Sequence, residues 1–211
     1  MGRTVIKAIL FDMDGVLIDA RDWHYEALNR ALGLFGMTID RDAHLATFDG
    51  LPTRRKLQIL AASRGLPLAL HGFINALKQS YTTEMIYARC KPRFQQSYAL
   101  SRLKDDGLHI AVCSNSVRQT VNLMMLLAQL EPFIDLQLSN EDIPVPKPAP
   151  DMYLEAMRRF GCAPQECLII EDSEHGIEAA RASGGHLLIV SSPADVTYAR
   201  IVAAVAEANA R

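Results

Sequence analysis

Lys7-Ala8-Ile9-Leu10-Phe11-Asp12-Met13-Asp14-Gly15-Val16-Leu17-Ile18-Asp19 is the stretch that decides the fold of this 211-residue chain. The apolar run from Val5 to Phe11, broken by one lysine, reads as a strand that ends in two aspartates and a glycine. If extended geometry persists to its end, Asp12 and Asp14 share one face, because side chains alternate with period two. Gly15 then permits a sharp exit, since glycine accepts positive φ. Carboxylates held that close repel by about 4 kcal/mol at roughly 4 Å and an effective dielectric near ~20. A shared proton or a cation must offset this.

Asp-Gly after an apolar run is also a hairpin signal. The next residues argue against a hairpin: Trp23, Ala27, Leu28, Ala31, Leu32 and Phe35 fall at helical spacing over 21–35. A strand followed by a helix belongs to an α/β chain, whose ligand sites lie beyond the carboxyl ends of the strands.

After the first strand, residues 17–88 read as helix, with segments near 21–35, 53–64 and 70–88 and punctuation at Gly50-Leu51-Pro52 and Gly65-Leu66-Pro67. From Leu108 the texture becomes strand and helix in alternation. Strands are expected at 108–113, 134–138, 167–170 and 186–190, and helices at 94–106, 117–130, 150–160, 174–183 and 195–209. That alternation implies a parallel, doubly wound sheet. The first strand needs parallel neighbours to bury both faces, and these occur only after residue 108. The expected organisation is therefore an α/β core of residues 1–16 and 89–211, with an all-helical insertion at 17–88. An insertion leaving beside a strand's carboxyl end is placed to act as a lid.

At 49% hydrophobic the chain can bury a proper core. Its net charge of −2, with no basic block, gives no nucleic-acid footprint. Met1-Gly2-Arg3-Thr4 leads into a run too short for a secretory signal, and Lys7 stands where a myristoylation motif wants Ser or Thr. No run approaches the ~18 apolar residues of a membrane span. Cys90, Cys113, Cys162 and Cys167 form no C-x-x-C pair, and Cys113 and Cys167 lie in apolar strand-like runs. Buried free thiols in a reducing compartment are the expected state. The expectation is a cytoplasmic protein.

Each later strand ends in residues suited to anions or metals. Ile110-Ala111-Val112-Cys113 runs into Ser114-Asn115-Ser116, either a helix N-cap or an anion site made of a hydroxyl and free amides. Beyond 134–138 comes Asn140-Glu141-Asp142 and then Pro144-Val145-Pro146-Lys147-Pro148-Ala149-Pro150, a loop stiffened by prolines. Lys147 is either a surface lysine or a point charge for a phosphate or carboxylate, and Asp151 would cap the next helix. The fourth strand ends in Glu171-Asp172-Ser173, where Asp172 or Ser173 could be an N-cap. With Asp12 and Asp14, these carboxylates gather at one end of one sheet. A hard divalent cation explains them best, and Mg²⁺ is usual where phosphates complete its shell.

This set resembles a haloacid-dehalogenase-superfamily phosphotransferase with a small helical cap, of the β-phosphoglucomutase-like kind. The motifs are Phe11-Asp12-Met13-Asp14-Gly15-Val16, Ser114-Asn115, Lys147-Pro148-Ala149-Pro150-Asp151 and Glu171-Asp172-Ser173 with Gly176. The resemblance implies a Rossmann-like core in which Asp12 is the nucleophile that forms an aspartyl-phosphate and Asp14 the general acid/base. It also implies that Ser114, Asn115 and Lys147 bind the phosphoryl group. Mg²⁺ would be held by Asp12, the Asp14 carbonyl and Asp172, with Glu171 as ligand or support.

In the cap, His24 matches a histidine of the mutases near the hinge. Where the mutases show Gly-x-Ser-Arg, this chain has Gly50-Leu51-Pro52-Thr53-Arg54-Arg55, which displaces the arginine. Arg54, Arg55 and Lys78 complete the candidate substrate-binding residues, and Pro92-Arg93 replaces the usual Pro-Gly after the cap. The expected activity is a Mg²⁺-dependent phosphatase acting on a small phosphorylated metabolite, a sugar phosphate. A β-phosphoglucomutase-type isomerase is the alternative, followed by a non-catalytic binding protein of the same fold. The expected partner is that metabolite, with no nucleic acid and no membrane, and the expected state a monomer or weak homo-oligomer.

Overall fold

The structure is a computed structural model and describes residues 5–210. It divides into two compact units, one comprising the chain up to Asp19 and again from Lys91, the other Ala20–Cys90.

In the first unit, the described residues form one five-stranded parallel sheet. Its strands are β1 (Ala8–Phe11), β2 (His109–Cys113), β3 (Leu136–Leu138), β4 (Cys167–Glu171) and β5 (His186–Ile189), in the spatial order β3-β2-β1-β4-β5. The chain moves from the central β1 to one side and then crosses back to the other, which creates a switch point between β1 and β4. The strand expected from Val5 begins at Ala8. Val5 is exposed, so nothing there rewards extension into the sheet, although Lys7 still bonds to Glu166 O and His109 N.

All four residues of β1 are fully buried, as a central parallel strand requires. Ala8 and Leu10 point into a core with Ala111, Cys113, Cys167 and Ile169. That face is covered by α7 (Asp151–Phe160), through Met152, Tyr153, Ala156 and Met157, and by α8 (Glu174–Ser183), through Ala179 and Ala180. The unit also contains α5 (Phe94–Asp105), α6 (Arg118–Leu127) and α9 (Tyr198–Asn209). Helix α9 starts three residues later than its apolar pattern suggests, because Pro193–Asp195 makes a separate 3-10 turn and Thr197 caps the helix by accepting from Arg200 N.

The second unit is all helical: α1 (Arg21–Gly33), the single turn α2 (Arg41–Ala43), α3 (Thr53–Arg64) and α4 (His71–Arg89). Between α2 and α3, His44–Phe48 forms a π-helical turn, a form often found at functional positions. Leu28, Ala31, Leu32, Ile39, Phe48, Leu57, Leu60, Leu66 and Ile74 make this unit's own core. No helix among the described residues is long and apolar enough to cross a membrane.

Candidate active site

Sheet register brings the acidic residues together. Phe11 pairs with Ile170 of β4 and with Val112 of β2. Asp12, one residue on, therefore lies between the ends of both neighbours, and its N–H donates to Ile170 O at 3.0 Å. Asp12, Glu171 and Asp172 each present a carboxylate oxygen, and these atoms lie within 4.8 Å of one another.

Extended geometry stops at Phe11, so strand alternation does not relate Asp12 to Asp14. The chain bends at Met13 and turns through Gly15, whose φ of 92° favours glycine. The turn is closed by Gly15 N donating to Ile18 O at 2.6 Å. Asp12 is buried, whereas Asp14 is partly exposed and accepts from the Ser116 hydroxyl at 3.1 Å.

Lys147 is the hub. Its ammonium, 3% exposed, donates to Asp12 Oδ1 at 2.7 Å, to Glu171 Oε1 at 2.7 Å and to Cys113 O at 2.8 Å. Those three bonds use every proton the ammonium has. Burial alone would favour the neutral amine, but Asp12 and Glu171 outweigh it and hold the ammonium above its ordinary pKa. Asp12 moves up as well: burial is the main cause, and Glu171, Asp172 and Asp14 push in the same direction against the opposing pull of Lys147.

Asn115 keeps Lys147 in place. Its Nδ2 donates to Lys147 O and its Oδ1 accepts from Lys147 N, both at 3.1 Å. Both functions of this amide thus engage the lysine's main chain. Ser114 is buried, and its Oγ accepts from Ser116 N at 3.0 Å. Neither residue caps α6, whose N-cap is Val117, so the loop 114–116 stands apart from the helix. Asp151 does not cap α7 either: Pro150 is the N-cap, and Asp151 lies in the first turn. Ser173 does cap α8, accepting from Gly176 N at 3.2 Å.

Glu171 is fully buried and heavily engaged. Its Oε1 accepts from Lys147 and, at 2.6 Å, from the Tyr153 hydroxyl, while its Oε2 accepts from Asp172 N at 3.0 Å and from Ser173 N and Oγ at 3.4 Å. Gly176 packs against this carboxylate so closely that a Cβ there would stand 1.8 Å from Oε1. Such saturation makes Glu171 a support for its neighbours and leaves Asp12 and Asp172 as the better direct donors to a metal. The donor set fits a hard cation: carboxylate oxygens suit Mg²⁺, and around Asp12 the charges of Glu171, Asp172 and Asp14 are opposed by the one ammonium of Lys147.

In the helical unit, His24 Nδ1 lies 3.0 Å from Lys78 Nζ, and Lys78 is buried. Arg54 and Arg55 are exposed on the first turn of α3, Arg55 reaching Gln58 at 3.4 Å. The buried cation of that turn is Lys56, which shares its inward face with Leu57 and Leu60. Sequence reasoning passed over Lys56 and Tyr153, and it read Ser116 only as part of a cap or an anion site. A helical-phase count from Leu57 and Leu60 would have separated Lys56 from its two arginine neighbours.

Residues 9–190 match the model of a family described as haloacid dehalogenase-like hydrolase. Among relatives, the chain is 26% identical over 182 residues to a phosphorylated carbohydrates phosphatase of Thermotoga maritima, covering 85% of this chain and 82% of that one. It is 27% identical to the fructose-1-phosphate phosphatase YqaB of Escherichia coli, covering 83% and 92%. Among solved structures, β-phosphoglucomutase from Clostridium difficile superposes with a TM-score of 0.85 over 98% of this chain and all of that one. At 20% identity, this last is a likeness of fold.

Proposed function

The chain belongs to the haloacid dehalogenase-like hydrolases, and on that premise we propose that it is a Mg²⁺-dependent phosphatase that hydrolyses a small phosphomonoester, a sugar phosphate, through an aspartyl-phosphate on Asp12. The observation that carries this reading is the Lys147 ammonium, shared at 2.7 Å between Asp12 and Glu171 beside the carboxylate of Asp172. A nucleophile attacking a phosphate dianion needs its own charge offset. The names of the two phosphatase relatives support the substrate class.

Mg²⁺, held by Asp12, Asp172 and the Asp14 carbonyl, would supply further neutralisation of the phosphoryl oxygens. The protein's own groups do the rest. Asp12 Oδ1 is tied to Lys147, so Oδ2 attacks phosphorus as the bond to the leaving oxygen breaks. Asp14, anchored by the Ser116 hydroxyl, gives its proton to that oxygen. Asp14 then takes a proton from water as the water attacks the aspartyl-phosphate, which releases phosphate and restores Asp12. Ser114 holds the transferring oxygens and the Lys147 ammonium offsets their charge from beside Asp12, with Asn115 fixing the main chain of Lys147. In the helical unit, His24, Arg54, Arg55 and Lys78 stand as candidate substrate-binding residues, and we add the buried Lys56 to them.

The test is phosphate release from a panel of sugar phosphates with Mg²⁺, run beside conversion of a hexose 1-phosphate. Net phosphate release is expected. Isomerisation without release would replace this reading with a mutase.

A further inference from the structure

Tyr153 comes from the first turn of α7 and is wholly buried among Met152, Ala156 and Met157. A phenylalanine would fill that space as well, so packing alone gives no reason for a hydroxyl. A buried phenol must find an acceptor, and this one finds Glu171 Oε1 at 2.6 Å, the same atom that accepts from Lys147. The Tyr153 ring centroid also lies 4.7 Å from Lys147 Nζ, within range of a cation–π contact. One side chain thus touches both members of the ion pair next to Asp12.

We propose that Tyr153 is a positioning residue that keeps the Lys147 ammonium on Asp12 by occupying part of the demand of Glu171, an inference that rests on the phosphatase reading above. Glu171 Oε1 has two donors. Without the hydroxyl only Lys147 remains, and the ammonium is drawn toward Glu171 and away from Asp12. The nucleophile then loses its neutralising partner with no residue that touches substrate having changed.

Y153F keeps the ring and removes only the bond. The experiment compares crystal structures of wild type and Y153F, together with their kcat and KM for a hydrolysed sugar phosphate and their melting temperatures. In Y153F the Lys147–Asp12 contact is expected to lengthen beyond about 3.5 Å, outside hydrogen-bond range. With it kcat falls about tenfold, the scale of one lost bond to a charged group, at a KM within about twofold and with the fold retained. An unchanged Lys147–Asp12 contact with wild-type kcat overturns the inference while leaving the phosphatase reading intact. A wild-type protein that hydrolyses no phosphomonoester overturns the phosphatase reading instead, and the Lys147–Asp12 distance in Y153F still decides the inference.

Discussion

Lys147 Nζ lies 2.7 Å from Asp12 Oδ1, and both groups are buried. A pair this dry is costly to break from one side, because the partner left behind stays charged in a low dielectric. Lys147→Met strands Asp12 and Glu171 together. The expected loss is about 3–5 kcal/mol of stability along with nearly all turnover, read by denaturant unfolding and phosphate release. A loss well under about 1 kcal/mol would show that the carboxylates had simply taken up protons.

Asp12→Asn retains an oxygen that can accept from Lys147 and removes a charge that Glu171, Asp172 and Asp14 oppose. Its stability should equal or exceed that of the wild type, with no turnover and no phosphorylated intermediate. An active Asp12→Asn protein contradicts the nucleophile assignment.

The contact of Gly176 with Glu171 is equally specific. A Cβ at 176 would overlap the carboxylate at 1.8–2.2 Å, and Glu171 is too well held to move aside cheaply. Gly176→Ala should cost about 1–3 kcal/mol, as overpacking does, and should also lower kcat through displacement of Lys147. The midpoint of urea unfolding and kcat are the two readings, and a variant unchanged in both refutes the connection.

Magnesium should both activate and stabilise. At roughly 100 times its dissociation constant, a ligand that binds only the folded state adds about 2.7 kcal/mol. Chelation should stop turnover, and Asp172→Asn should raise the half-saturating magnesium concentration about tenfold or more. Calorimetry with and without magnesium checks this, and an Asp172→Asn protein with wild-type magnesium dependence argues against Asp172 as a donor.

His44 gives a pH dependence separate from catalysis. Burial, and then the nearby Lys56, pull its pKa down to about 4, below the ordinary value near 6.5. The unfolded chain therefore binds more protons between these limits. The stability His44 contributes is whole above about pH 6.5 and is lost as pH falls toward about 4. His44→Phe, which keeps a ring beside Tyr25, should flatten that loss. Melting temperatures across this range decide the matter, and equal slopes in variant and wild type rule it out.

The sheet and the motif-bearing strand ends were readable because burial imposes apolar runs on parallel strands, and because Asp12, Ser114 and Glu171-Asp172 stand at the ends of such runs. Their convergence comes from register, with Phe11 beside Val112 and Ile170. The supporting roles were not readable. Tyr153 occupies an apolar position of α7, where an aromatic side chain signals packing, and its hydroxyl matters only once β4 delivers Glu171. Asn115 and Ser116 read equally as caps or as an anion site, and their bonds to Lys147 and Asp14 show only once α6 is seen to begin at Arg118. The π-helical turn at His44 leaves no periodic trace, since five residues are too few to set a period.

The two bonds from Asn115 reach only peptide atoms of residue 147. Such a clasp is indifferent to what that residue carries, so the bend it secures should survive any exchange of the amine. Position 147 is in effect a socket: its occupant sets the local charge, while its peptide stays clasped by Asn115. A neutral occupant would leave that loop bent while revealing, as lost stability and lost turnover, what the amine contributes to Asp12 and Glu171.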